Sequence, residues 1–149
     1  MVQKSINQLA MPSKFHLYIH APWCKRHCPY CDFTVYTDKS PPFEQWKEKI
    51  LQDWVWHQQT LSLKQAPDTI YFGGGTPSLV PTEILSEIIA HISASNTTEI
   101  TIEVNPGDVH PQRLQEYRDM KVNRLSLGVQ TFHREHLRKL GRASTPSDA

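Results

Sequence analysis

From Phe15 onward the apolar positions follow two alternating periods. The run FHLYIH sets Phe15, Leu17 and Ile19 on one side and His16, Tyr18 and His20 on the other, a period of two that predicts a strand. After Ser40-Pro41-Pro42, a start signal with proline at the first turn, Phe43, Trp46, Ile50, Trp54 and Leu61 recur at helical spacing and predict a long helix with its tryptophans in the core. A second strand over 69–72 runs into Gly73-Gly74-Gly75-Thr76-Pro77, and a helix over 81–92 follows with Ile84, Leu85, Ile88, Ile89 and Ile92 on its buried face. A third strand over 99–104 ends in Asn105-Pro106-Gly107-Asp108, and Pro111 opens a helix carrying Leu114 and Tyr117. A fourth strand over 123–129 leads to Gln130 and a helix over 131–140 stopped by Gly141, with no fifth strand after Ser144-Thr145-Pro146. Successive βα units of this kind imply a parallel sheet wound in one hand, hence an α/β fold.

The two faces of these strands differ in polarity. Strands of a parallel sheet covered on both sides read as nearly continuous apolar runs, and these do not. Ile70 and Phe72, then Ile100, Ile102 and Val104, then Leu125, Leu127 and Val129 form one apolar face fit to lie under helices. The other face carries His16, Tyr18, His20, Thr69, Tyr71, Thr101, Glu103, Asn105, Arg124, Ser126, Gly128 and Gln130. Left unpartnered in a packed interior, each such polar group would cost about 1–3 kcal/mol. A partial or open βα barrel with a polar lumen satisfies them, its site lying at the C-terminal ends of the strands.

The candidate chemistry begins directly after the first strand. Cys24, Cys28 and Cys31 are all the cysteine in the chain, spaced C-x₃-C-x₂-C. Iron–sulfur cubanes usually take four cysteine thiolates, so three thiolates with no fourth leave one iron open to another ligand. A structural zinc site of Cys₃His type is the competing reading, with His27, His20 or His16 as the fourth ligand. A disulfide cannot use all three cysteines, and buried inert thiols suit poorly a loop carrying Pro22, Lys25, Arg26 and Pro29. GGGTP is not the dinucleotide fingerprint G-x-G-x-x-G; glycines after a strand make either a plain turn or a backbone cradle for a ligand. Glu103 is equally open, as an ion-pair partner or as an acceptor for a ribose or ammonium group.

Composition changes the picture only by exclusion. With 149 residues, net charge +1, 38% hydrophobic and 21% charged residues, the chain reads as one globular domain without the charge field that nucleic acid attracts. No apolar run reaches the roughly 20 residues of a membrane span. Residues 1–14, MVQKSINQLAMPSK, lack the apolar stretch of a secretory signal and read as an N-terminal arm, which places the protein in the cytoplasm.

The blocks LYIHAPWC, CPYCDF, YFGGGTPS, EITIEVNPGD and NRLSLGVQTF, in this order, resemble the oxygen-independent coproporphyrinogen III oxidases and their heme chaperone relatives, a branch of the radical S-adenosylmethionine superfamily. The resemblance covers about residues 17–142. It implies a radical SAM core domain over 15–149, incomplete at its C-terminal end, because family members continue through further strands and a separate domain. It also implies that Cys24, Cys28 and Cys31 hold a [4Fe–4S] cluster. Family contacts to S-adenosylmethionine fall on Tyr18, Tyr30, Gly74, Gly75, Thr76, Glu103, Gln130 and Arg142, the last two resembling contacts to a second S-adenosylmethionine in the oxidases. Asp32 and Phe33 stand where the oxidases carry a C-x-C ending, and the short arm and the NPGD turn also resemble the chaperone branch. The expected protein is therefore a heme chaperone that binds cluster, S-adenosylmethionine and heme or a porphyrin precursor, with an electron-donor protein and an unnamed heme acceptor as partners. An oxidase that decarboxylates coproporphyrinogen III and a zinc-stabilised, non-catalytic binding module are the alternatives.

Overall fold

The strands pair in chain order, all parallel. In the computed structural model, which describes residues 14–92 and 94–148, the elements are β1 (His16–Ala21), α1 (Phe43–Thr60), β2 (Thr69–Gly74), α2 (Thr82–Ile92), β3 (Glu99–Val104), α3 (Pro111–Asp119), β4 (Arg124–Leu127) and α4 (Arg134–Lys139). The sheet order is β1-β2-β3-β4. This is the α/β succession of four βα units that the apolar periods predict; the expected N-terminal arm falls, but for Lys14, outside the described residues. Among those residues no helix is long and apolar enough to cross a membrane.

The core lies between the sheet and its helices. Ile70, Phe72, Ile100, Ile102 and Val104 from β2 and β3 meet Ile84, Leu85, Ile88, Ile89 and Ile92 from α2 and Trp54 from α1, all buried. Full burial of such side chains stabilises by about 1.5–3 kcal/mol each. Phe15 stacks on Trp54 with ring centroids 6.3 Å apart, and the Trp46 indole N–H donates to the His20 carbonyl at 3.1 Å. Leu61 falls off the expected buried stripe: it follows the last turn of α1, where it is exposed.

Register places the polar residues together. His16 lies opposite Thr69, Tyr18 opposite Tyr71, and Glu103 opposite Ser126. These groups partner one another across the strands: His16 Nδ1 and Thr69 Oγ1 are 3.0 Å apart, Tyr71 donates to Glu103 at 2.7 Å, and Arg124 pairs with Glu99 at 2.9 Å.

The fourth unit departs most from its sequence pattern. β4 covers 124–127 rather than 123–129. At its start the Asn123 side chain accepts from Ile100 N and donates to Thr98 O, acting as a clasp on β3. At its end the chain turns sharply, with Val129 N bonded to Leu127 O, and Gln130 has φ +65°, which no strand accommodates. The following helix starts at Arg134 because Thr131 Oγ1 accepts from His133 N at 3.2 Å and holds a local turn there. Leu125 and Leu127 are 36% and 39% exposed, whereas Ile100 and Ile102 on β3 are 1% and 0%. Their expected place under the helices is corrected accordingly: the short α4 does not cover them.

β4 is thus an edge of the sheet with partly exposed leucines and, among the described residues, no further strand beside it, the arrangement that invites pairing with another chain. The 149-residue protein is expected to self-associate with rising concentration, and Leu127→Lys should suppress that association at a stability cost under about 1 kcal/mol, as surface changes do. Light scattering with urea unfolding checks this; a monodisperse wild-type monomer with exchange-protected amides over 123–129 would contradict it.

Candidate functional site

The three cysteines sit on a loop closed at its base and laid over the C-terminal ends of β1 and β2. Cys24 N donates to Tyr36 O and Tyr36 N to Pro22 O, both at 2.9 Å, so the loop returns to its own start. Trp23 is buried with its ring edge-on to Phe43 and Trp46 at 5.2 and 5.8 Å, which ties that base to α1. Within the loop Cys31 N donates to Cys28 O at 3.0 Å. All three thiols are free and half-buried.

The glycine run is not a plain turn. Gly73 and Gly74 belong to β2, opposite His20 and Ala21 of β1. Gly74 takes φ +113°, a conformation open to glycine but strained for other residues. Gly75 N donates to Ala21 O at 2.8 Å, and a β-carbon at Gly75 would stand 2.7 Å from the Trp23 carbonyl oxygen. The missing side chain therefore lets the backbone entering the cysteine loop rest directly on β2.

A cleft of about 810 Å³ opens in front of these strand ends. Of the residues named for cofactor binding, Cys24, Cys28, Cys31, Tyr30, Gly74, Gly75, Thr76, Glu103, Gln130 and Arg142 all line it. Tyr18 does not: its hydroxyl meets His20 Nδ1 at 3.1 Å, and its ring stacks on Tyr71 at 6.0 Å, beside the cleft wall. Glu103 holds its carboxylate by accepting from Tyr71 on one oxygen and from Gly74 N at 3.2 Å on the other, each oxygen retaining a lone pair for a further donor. The Thr76 hydroxyl donates to Cys24 Sγ at 3.3 Å. Burial pushes the Cys24 thiol up, while that hydrogen bond and the Arg142 charge act the other way. The Tyr30 phenol is likewise raised by burial and lowered in part by Arg142. Arg142 is anchored by Asn105 Oδ1 at 2.6 Å and the Gly128 carbonyl at 2.7 Å, and its buried Nε has no partner among the described residues.

The donor set fits the cluster that the resemblance implies. The thiols face one cleft, and a hydroxyl already donates to one sulfur, as hydrogen bonds tune iron–sulfur sites. Among the described residues no three His, Cys, Asp or Glu side chains are placed to hold a single metal ion. A cubane asks for something different, since each thiolate binds its own iron.

Asp108 is the residue that sequence reasoning passed over. It appeared only as the end of a turn, yet its carboxylate accepts from Lys25 at 2.7 Å and from Ser78 at 2.8 Å, with Asn105 Nδ2 at 3.5 Å. Its Lys25 partner lies 83 residues away, so no local pattern announces it. Burial alone would raise the Asp108 pKa, but the Lys25 and Ser78 hydrogen bonds outweigh it and hold the carboxyl below its usual range.

The fold and site define a βα protein with a three-thiol cofactor loop at the C-terminal edge of a parallel sheet. The model of the radical SAM superfamily matches residues 18–149, and the chain belongs to that superfamily, as its motif blocks imply. Among its relatives it is similar to the heme chaperone HemW of Escherichia coli, 40% identical over an alignment of 141 residues that covers 89% of this chain and 36% of that protein. The heme chaperone HemW of Bacillus subtilis is 36% identical over 138 residues. The mitochondrial radical S-adenosyl methionine domain-containing protein 1 of Danio rerio is 34% identical over 132 residues, 85% of this chain and 29% of that protein. The chain thus spans about a third of the length of these curated relatives. Among solved structures it matches coproporphyrinogen III oxidase (HemN) from Escherichia coli, described as a radical SAM enzyme, with TM-score 0.76, 25% identity, and 91% of this chain against 32% of that one.

A depressed carboxyl pKa contributes stability that is complete above the unfolded value, near 3.9, and is lost as pH falls through the lower folded value. Wild-type protein should therefore lose stability more steeply than Asp108→Asn as pH falls below about 3.9, as read from urea midpoints across the acid range. Parallel acid limbs would show that the carboxylate is not held as described.

Proposed function

We propose that the chain is the part of a heme chaperone, in the coproporphyrinogen III oxidase family, that binds a [4Fe–4S] cluster and S-adenosylmethionine. The observation that carries this reading is the convergence of the three half-buried thiols, the β2 glycines and the Glu103 carboxylate on one cleft. Cys24, Cys28 and Cys31 would hold the cluster. Such a cluster, when bound, supplies one-electron reduction of the sulfonium of S-adenosylmethionine. This chain's own residues bind and orient. Gly74 and Gly75 present backbone without side chains, Glu103 accepts from an ammonium or ribose hydroxyl, and Arg142 offers charge to a carboxylate. Tyr30 closes the wall beside Cys28, while Thr76 serves the Cys24 sulfur. In this reading Tyr18 and Gln130 complete the S-adenosylmethionine contacts at the rim.

The similarity to the HemW chaperones supports heme or a porphyrin precursor as the further ligand, and Asp32-Phe33 after Cys31 agrees with that branch. An electron-donor protein, a heme acceptor, a cytoplasmic location and a core domain over 15–149 belong to the same proposal. The likeness to HemN keeps the oxidase as the second reading.

Anaerobic reconstitution should load about four irons and four sulfides per chain, and any one of Cys24→Ala, Cys28→Ala or Cys31→Ala should abolish the broad visible absorption. One tightly bound zinc that excludes iron would instead establish the zinc-stabilised module. The corresponding full-length protein should bind heme and release no carbon dioxide from coproporphyrinogen III; Cys24-dependent turnover would make it an oxidase.

Glu103→Gln should weaken S-adenosylmethionine binding at least about tenfold, the scale of a charge-assisted hydrogen bond, with the cluster spectrum intact. Isothermal titration checks the affinity. Unfolding of the variant would instead make Glu103 a structural partner of Tyr71 and Gly74.

A further inference from the structure

The cysteine loop is fastened at its base by backbone bonds, and one residue past Cys24 a side chain ties it to a second part of the cleft wall. Lys25 makes that tie. Its Nζ donates to Asp108 Oδ1 at 2.7 Å, from a side chain 69% exposed to one only 14% exposed. The carboxylate is a fixed receptor: Ser78 donates to its second oxygen at 2.8 Å, and Asn105 approaches that same oxygen at 3.5 Å. Asn105 in turn holds Arg142 at 2.6 Å, and Arg142 bonds the Gly128 carbonyl at 2.7 Å. One polar chain thus joins the cysteine loop, the turn after β2, the turn after β3 and the segment after α4 around the mouth of the cleft.

We propose that Asp108 is a positioning residue that, through Lys25, latches the cysteine loop against the strand ends before any cofactor binds. The latch itself rests on contacts of this chain alone; its bearing on cluster retention rests on the reading given under Proposed function. The two partners are not equivalent. Losing Lys25 leaves a half-buried carboxylate without its cation, whereas losing the Asp108 charge leaves a lysine free to reach water, so Lys25→Met should disturb the loop more than Asp108→Asn.

The test is amide hydrogen exchange on the full chain without metal, for wild type, Lys25→Met, Asp108→Asn, the double variant and Lys25→Arg. Exchange over 24–31 should rise about fivefold in Lys25→Met, the scale of a partly exposed ion pair, and less in Asp108→Asn. The double variant should be no worse than the poorer single one, and Lys25→Arg should stay near wild type. Unchanged loop exchange in both single variants would overturn the latch. So would a rise spread equally over 99–104, which would make Asp108 a support of the sheet, or strictly additive effects in the double variant. Chelator-driven bleaching of reconstituted protein is the second readout, and in Lys25→Met it should be faster by a similar factor. Bleaching as slow as wild type despite looser exchange would overturn the latch's bearing on retention. Looser exchange in a chain that takes up no iron would support the latch while sinking the cluster reading.

Discussion

The arrangement depends on a backbone contact that only glycine permits. Where β2 ends, Gly75 lies so close to the Trp23 carbonyl that any β-carbon would collide with it. That approach lets the loop's first residues run flat over the sheet end, which brings Cys24 within reach of the Thr76 hydroxyl. A side chain at this position would lift the loop and part the thiols from the strand-end groups at once. The glycine run therefore has a duty toward the protein's own loop, whatever it presents to a ligand.

Around that contact the sheet resolves a conflict set by its two faces. The apolar face is closed by α1 and α2, whose isoleucines and Trp54 leave β2 and β3 dry. The polar face keeps its groups by pairing them across strands, from His16 with Thr69 to Tyr71 with Glu103. These pairings orient the carboxylate toward the cleft instead of neutralising it, because no cation sits on Glu103 in either of its hydrogen bonds. The part-buried bonds from Tyr71 and Gly74 hold both carboxylate oxygens of Glu103, and that fixes the orientation a binding group requires.

Much of this was legible in the chain. The period-two runs and the helical stripe of α2 identify their elements because both faces of each have one unambiguous partner. The cysteine spacing and ordered motif blocks identify the superfamily because they are local in sequence. The failures share a cause. Leu125 and Leu127 alternate as a buried face should, but alternation states which side is apolar and cannot state what covers it. Gln130 bends the chain through a left-handed conformation that glutamine does not advertise, so β4 stops early. Lys25 and Asp108 meet only after two βα crossovers have brought them together.

The buried indole of Trp23 adds an optical consequence. It stands one residue from Cys24 and meets Trp46 and Phe43 edge-on, so its surroundings are set jointly by the loop and by α1. A shift of the loop changes the distance and angle between two coupled indoles, and a coloured group in the cleft would lie within range to drain their excited state. The chain thus carries its own light-emitting gauge of the loop at a residue that ligates nothing.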